Sequence, residues 1–246
     1  MNKKNGVNMS KESEIDDEIR NSQGRIYYWR LKSLSLNYYV FNKNFEELKI
    51  PIENMKDPKN ALLAWDIKKR DVLEIVQFEV IRRLLNYIFS AKALVDYTRN
   101  LISRWYSNTD FKNDYDKEIQ KRFTGNEIAG FIEDLRNYSA HYSLPISRPG
   151  FSIMGVNTHN VQIEHYYIMS KSVLLQWDGW TEKGKKFLNH SPEDINIEEF
   201  TYKYFTMVED FEHWLIENLK NLHKTDLDWL YKKSKQLKTL LDESND

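Results

Sequence analysis

The sequence predicts a mainly α-helical protein with a small β-hairpin elaboration, and three observations lead to that class. In the longest patterned segment Val72, Val76, Val80, Leu84 and Ile88 recur every four residues, the spacing of one helix face. Two later stretches repeat that spacing, one through Phe131, Leu135 and Tyr138 and the other through Phe200, Tyr204, Val208, Phe211 and Leu215. Between Phe151 and Trp177 the pattern shifts toward alternation, as in strands.

Residues 1–24 are polar and read as a flexible N-terminal segment, with 25–246 forming a single helical domain. "RIYYWRLKSLSLNYYVF" has no clean period and reads as helix followed by strand, and "LKIPIENMKDPKN" as a loop punctuated by Pro51 and Pro58. A helix of unusual length is expected from Ala61 to Tyr106, with a kink or break in it, followed by a polar connection, "SNTDFKNDYDKE". A third helix covers Asn126 to Tyr142 and stops before Leu144-Pro145, because proline disfavours helix in the residue ahead of it.

A β insertion is placed at 150–178, pairing "VQIEHYYIM" with "SVLLQW", and "DGWTEKGKKFLNH" reads as a turn and a short helix. The C-terminal helices occupy 192–243. Ser191 and Pro192 resemble the cap and first residue of one, while Thr225 and Asp228 imitate a capping box for the last.

Composition narrows the function classes. Basic and acidic residues nearly cancel, 36 against 37, which argues against a chain coated in nucleic acid but leaves room for a local basic cleft. Cysteine is absent, so thiolate catalysis, disulfides and cysteine zinc sites are excluded. The first residues lack the apolar core of a secretory signal, and no apolar run has spanning length, so a cytoplasmic protein is expected. None of the 8 glycines sits in a phosphate-binding loop, no serine occupies a nucleophile elbow, and no two of the 6 histidines form a zinc-protease pair. No cofactor and no metal are expected.

The third helix holds the candidate site, "DLRNYSAHYS", residues 134–143. With Arg136 at zero and about 100° per residue, Ile128, Phe131, Ile132, Leu135, Tyr138 and Tyr142 fall on one arc, the core face. Glu133, Asn137, His141 and Asp134 fall between about 60° and 160°, away from it. Arg136, Asn137 and His141 therefore belong to a solvated face or to the wall of a cleft. Five residues leave Arg136 and His141 about 140° apart, so they converge only if the arginine reaches round, the helix deforms, or a second subunit completes the site.

"RNYSAH" resembles the arginine, four residues, histidine signature of HEPN domains (higher eukaryote and prokaryote nucleotide-binding), with a polar residue directly after the arginine. The helices before it, including "AKALVDYTRNL", are similar to those that pack beside the motif helix in that family, and the likeness covers 61–145. The resemblance implies an antiparallel helical bundle, a homodimer, and a metal-independent endoribonuclease of phage defence, toxin or stress systems. An antitoxin or other defence-system protein is then an implied partner, and RNA the implied substrate.

RNA cleavage without a metal uses the ribose 2′-hydroxyl as nucleophile, and needs an acid–base group near neutrality and a fixed cation at the phosphate. By the resemblance, Arg136 holds the scissile phosphate, His141 moves the proton, and Asn137 orients the histidine or the phosphate. The chain departs from toxins paired with nucleotidyltransferase antitoxins. Ser143 stands where those carry a tyrosine, and Tyr142 comes one residue early, on the core arc.

Glu133, Lys68, Lys69 and Arg70 are further candidate substrate-binding residues. Lys68, Lys69, Arg70, Arg82 and Arg83 could line a phosphate backbone, although a solvated helix exterior is the simpler reading of that stripe. "RIYYWR" and "LLQWDGW" mix aromatics with charge, as base-stacking platforms do, and as packing aromatics do more often. The alternative function is a catalytically inactive HEPN-like module for dimerisation, nucleotide sensing or partner binding; an unrelated helical protein with a solvated face is the remaining possibility.

Overall fold

The computed structural model describes residues 10–57, 59–61, 66, 68, 70–154 and 162–243. It is mainly helical with a three-stranded antiparallel sheet, as the hydrophobic spacing requires. The elements are α1 (Lys11–Arg20), α2 (Gln23–Asn54), α3 (Arg70–Trp105), α4 (Asp110–Arg122) and α5 (Glu127–His141), then β1 (Ser147–Met154) and β2 (Gln162–Ser170). There follow α6 (Lys171–Leu174), α7 (Glu182–His190), β3 (Asp194–Asn196), α8 (Ile197–Leu222) and α9 (Lys224–Glu243). Among the described residues no helix is long and apolar enough to cross a membrane.

The packing divides the chain into two compact units, Met1–Leu36 with His213–Asp246, and Asn37–Glu212. In the first, the segment expected to be flexible forms α1 from Lys11 onward. Ser10 caps it by accepting from the Ser13 amide (3.4 Å), Ile15 is buried, and Arg20 pairs with Asp16 at 2.6 Å. An ion pair from Lys233 of α9 to Glu18 of α1 (2.5 Å) and a stack of Tyr27 on His223 tie this unit together.

The second unit holds the main core, built by Phe41, Phe45, Leu48 and Ile52 of α2, Val80, Leu84, Tyr87 and Ile88 of α3, and Phe200, Tyr204 and Val208 of α8. α2 runs unbroken through the expected strand and through Pro51. Leu48, Ile52 and Met55 are buried around that proline, so packing outweighs the lost backbone hydrogen bond so near the helix end. The "polar connection" is largely α4, whose Phe111 and Tyr115, four residues apart, are its buried residues; two apolar positions among charges are a faint signal.

The hairpin exists, but its partner strand differs from the expected one. β2 pairs with β1, Gly150 opposite Tyr166 and Ser147 opposite Met169, while "SVLLQW" begins as the helical turn α6, capped by the Ser170 hydroxyl. Pro149 and Gly150 read as breakers in sequence, yet β1 is an edge strand in the order β1-β2-β3, where a missing N–H is tolerated. A Cβ on Gly150 would meet the Tyr166 ring, so a larger residue there would need that ring to shift. Ser191 and Pro192 do not start a helix. They lead into β3, which pairs with β2 (Met169 opposite Ile195), and α8 starts only at Ile197.

Candidate functional site

α5 forms where the sequence places it. The Asn126 side chain accepts from the Ala129 amide (3.0 Å) at its start, and the helix closes with Tyr142 and Ser143 amides on the Tyr138 carbonyl (2.9 and 3.1 Å). Phe131, Ile132, Leu135 and Tyr138 are buried, with Phe131 stacked on Phe187 (4.2 Å) and on Trp180 (5.6 Å). Trp177 and Trp180 of "LLQWDGW" thus pack with the core, and the Trp180 indole donates to the Leu174 carbonyl (2.7 Å).

The face opposite that core is only partly open. α7 covers its N-terminal half, where Gly130 admits Lys183 so closely that a Cβ would collide with it. Asp134, expected on the open face, is 1% exposed and accepts from the Thr181 amide (2.8 Å) and hydroxyl (2.7 Å) at the start of α7. Burial pushes its carboxyl up while the Thr181 bonds oppose that shift. Asp134→Ala leaves the Thr181 amide without its partner, so it is expected to cost about 1–3 kcal/mol of stability in urea unfolding. An unchanged midpoint would count against this capping role.

Beyond Asp134 the face opens, and the three motif residues lie there. Arg136 and Asn137 are half-buried and His141 is exposed in the last turn. The Arg136 guanidinium donates through Nη1 to Asn137 Oδ1 (2.9 Å) and lies over the Phe89 ring of α3, 5.5 Å from its centroid. Arg136 has no carboxylate partner among the described residues, and its Nε is buried without one. Asn137 therefore braces the arginine rather than the histidine. In this regular helix Arg136 and His141 stand about 7.5 Å apart along the axis and about 140° apart around it.

The other expectations separate from this site. Glu133 is one turn away, but its carboxylate faces Lys92 of α3 (3.5 Å), which also binds Asp96 (2.7 Å). Lys68 is exposed, Lys69 lies outside the described residues, and Arg70 opens α3, roughly 28 Å of helix from Phe89. Arg82 and Arg83 both pair with Glu79 (2.8 and 3.1 Å), whose carboxyl is pulled down to about 2, mainly by its bonds to them. Tyr142, placed on the core arc by helical angles, is 52% exposed. The helix has ended at His141, so its angles no longer apply, and the ring rests against Tyr138 and Trp177.

His159 lies outside the described residues; His165 is buried in β2, and His190 pairs with Glu127 at 2.9 Å. Among the described residues no group of three or more His, Cys, Asp or Glu side chains is placed to hold a metal.

Sequence reasoning also missed a cavity of about 530 Å³ within the second unit, enclosed by α3, α4, α5 and α8, with the start of α7 beside it. Glu212 lines it, 2% exposed and with Oε2 unbonded among the described residues. The signal was present, since Glu212 falls four residues after Val208 and three before Leu215, on the apolar stripe of its helix. No family model, no curated protein and no solved structure matches the chain.

Proposed function

We propose that the chain is a HEPN-type, metal-independent endoribonuclease acting in phage defence, as a toxin or in a stress response. One observation supports the reading: Arg136 is a half-buried cation with no carboxylate partner among the described residues, held in place by Asn137 and Phe89. A guanidinium so placed is a ready partner for a phosphate, whose two oxygens match its planar fork. His141, exposed in the last turn of the same helix, supplies an imidazole for proton transfer.

In the reaction the ribose 2′-oxygen attacks phosphorus and the bond to the 5′-oxygen breaks, leaving a 2′,3′-cyclic phosphate and a free 5′-hydroxyl. One imidazole takes the 2′ proton and another gives a proton to the departing oxygen. Arg136 offsets the charge on the equatorial oxygens. Because Arg136 and His141 diverge on one helix, two copies of α5 facing each other across a two-fold axis would supply both imidazoles, so the active form is a homodimer.

A second reading has its own observation. Ile75, Phe78 and Phe89 are exposed along the face of α3 opposite its core stripe, and Tyr142, Leu144 and Ile146 are exposed after α5. Apolar surface beside the motif suits a catalytically inactive module that dimerises, senses a nucleotide or binds a partner protein such as an antitoxin.

The test incubates the purified chain with single-stranded RNA in EDTA. Cleavage with cyclic phosphate ends is expected, and Arg136→Ala and His141→Ala should each lower the rate about 10²-fold or more. A folded wild type that leaves RNA intact, or variants that cut as fast, overturns the nuclease reading. Inert protein whose oligomer is dispersed by Arg136→Ala favours the second.

A further inference from the structure

The cavity enclosed by α3, α4, α5 and α8 has the size of a small-molecule site, and the chemistry of its lining is unequal from floor to rim. Its walls are apolar and aromatic: Leu94, Phe123, Val208 and Phe211, with the Tyr115 and Tyr204 rings. Phe211 stands edge-on to both Tyr115 (5.9 Å) and Phe123 (5.3 Å), so the rings form a corner rather than a stack. At the floor is Glu212, with Thr98 Oγ1 a weak donor to its Oε1 at 3.4 Å and Oε2 unbonded among the described residues.

A buried carboxyl with an unused oxygen costs free energy unless something bonds it. We propose that this cavity binds a small organic amine, its ammonium on Glu212 Oε2 and its apolar body against the Tyr115, Phe123 and Phe211 rings. An ammonium supplies the missing donor, turns the acid into a charge-assisted pair, and is attracted to ring faces in a desolvated site.

The cations that also line the cavity do not oppose this. Lys92 is committed to Asp96 and Glu133, and Lys186 to Glu182, while Arg99 and Lys183 are exposed at the rim, where solvent screens them. Around Glu212 the titratable groups are Tyr38 from α2, Arg99 from α3, Tyr115 from α4 and Tyr204 from α8. Burial holds the three tyrosines in the protonated form, Tyr115 up to about 12, so Glu212 is the group that ionises when the amine enters. Burial also pushes the free Glu212 carboxyl up to about 8. Binding near neutral pH therefore releases the carboxyl proton to solvent.

The test is calorimetry on the full chain with benzylamine and hexylamine, against benzyl alcohol and hexanol, in two buffers of different ionisation heat at pH 7. Saturable binding of an amine is expected, with about one proton released per amine bound and weaker binding of the matched alcohol. Glu212→Gln should abolish the proton release and weaken binding about tenfold or more. Ile119→Trp, at the half-buried wall of α4, fills the cavity while sparing the carboxyl, and should abolish binding too. The proposal is overturned if the folded wild type binds neither amine at millimolar concentration. It also fails if amine and alcohol bind alike without proton release, or if either variant binds as wild type does. None of these outcomes bears on RNA cleavage by Arg136 and His141.

Discussion

Arg136→Lys is expected to lower RNA cleavage about 10²-fold while leaving the fold in place, even though the charge is kept. Lysine can offer the phosphate a point charge, but Arg136 does three things at once. It donates to Asn137 through Nη1, lies over Phe89, and keeps Nη2 without a bond among the described residues. An ammonium on a flexible stem gives up the fixed orientation and the stacking, so each turnover must order the side chain anew. The loss should fall on kcat at saturating RNA, because the orientation matters when charge develops on the equatorial oxygens.

Phe89→Ala should reproduce part of the defect, since it removes the surface that holds the guanidinium but not its donors. The measurement is single-turnover cleavage in EDTA beside a urea unfolding curve. Arg136→Lys cutting at the wild-type rate would show that the site needs only charge, and the argument from preorganisation would fail.

What could be read from the sequence follows from how local each signal is. α5 was legible almost to the residue, because an asparagine cap, a clean apolar arc and a proline beyond the end all act within its own length. Its outward face was less so. Helical angles say which residues avoid the core of one helix, but they cannot say that α7 lies over Gly130 and Asp134, since α7 begins some forty residues later. Asp134 therefore reads as solvated in sequence and is buried in the fold. β1 was missed for the opposite reason: Pro149 and Gly150 are breakers in isolation and are tolerated only because β1 lies at the sheet edge.

The site divides along the same line. Arg136, Asn137 and His141 are candidates because they share the polar side of one helix, whereas the Arg136–Phe89 contact joins residues far apart in sequence and needed the fold. Lys68, Lys69 and Arg70 are candidates by charge alone, and charge carries no distance. Glu212 shows a signal that was readable and passed over. A carboxylate on an apolar stripe is expensive to bury, so its position already marks either a structural partner or a site.

Glu212→Gln is expected to flatten much of the pH dependence of stability between pH 4.5 and about 8. The sign follows from the buried acid. Desolvation raises the folded-state pKa from 4.5 to about 8, with the Thr98 bond opposing it only weakly. Between those values the folded chain keeps a proton that the unfolded chain has released, so its stability contribution is complete below pH 4.5 and lost as pH rises through about 8. At about 1.4 kcal/mol per pKa unit the loss comes to a few kcal/mol, large beside the usual stability of a domain.

Asp134 is as buried as Glu212 but is bonded twice by Thr181, which opposes its upward shift. Urea midpoints for wild type should therefore fall from pH 5 to pH 9 more steeply than those of Glu212→Gln, with all other titrating groups common to both chains. Parallel slopes would mean that Glu212 ionises in the folded protein at little cost, with the cavity already wet enough to solvate a carboxylate.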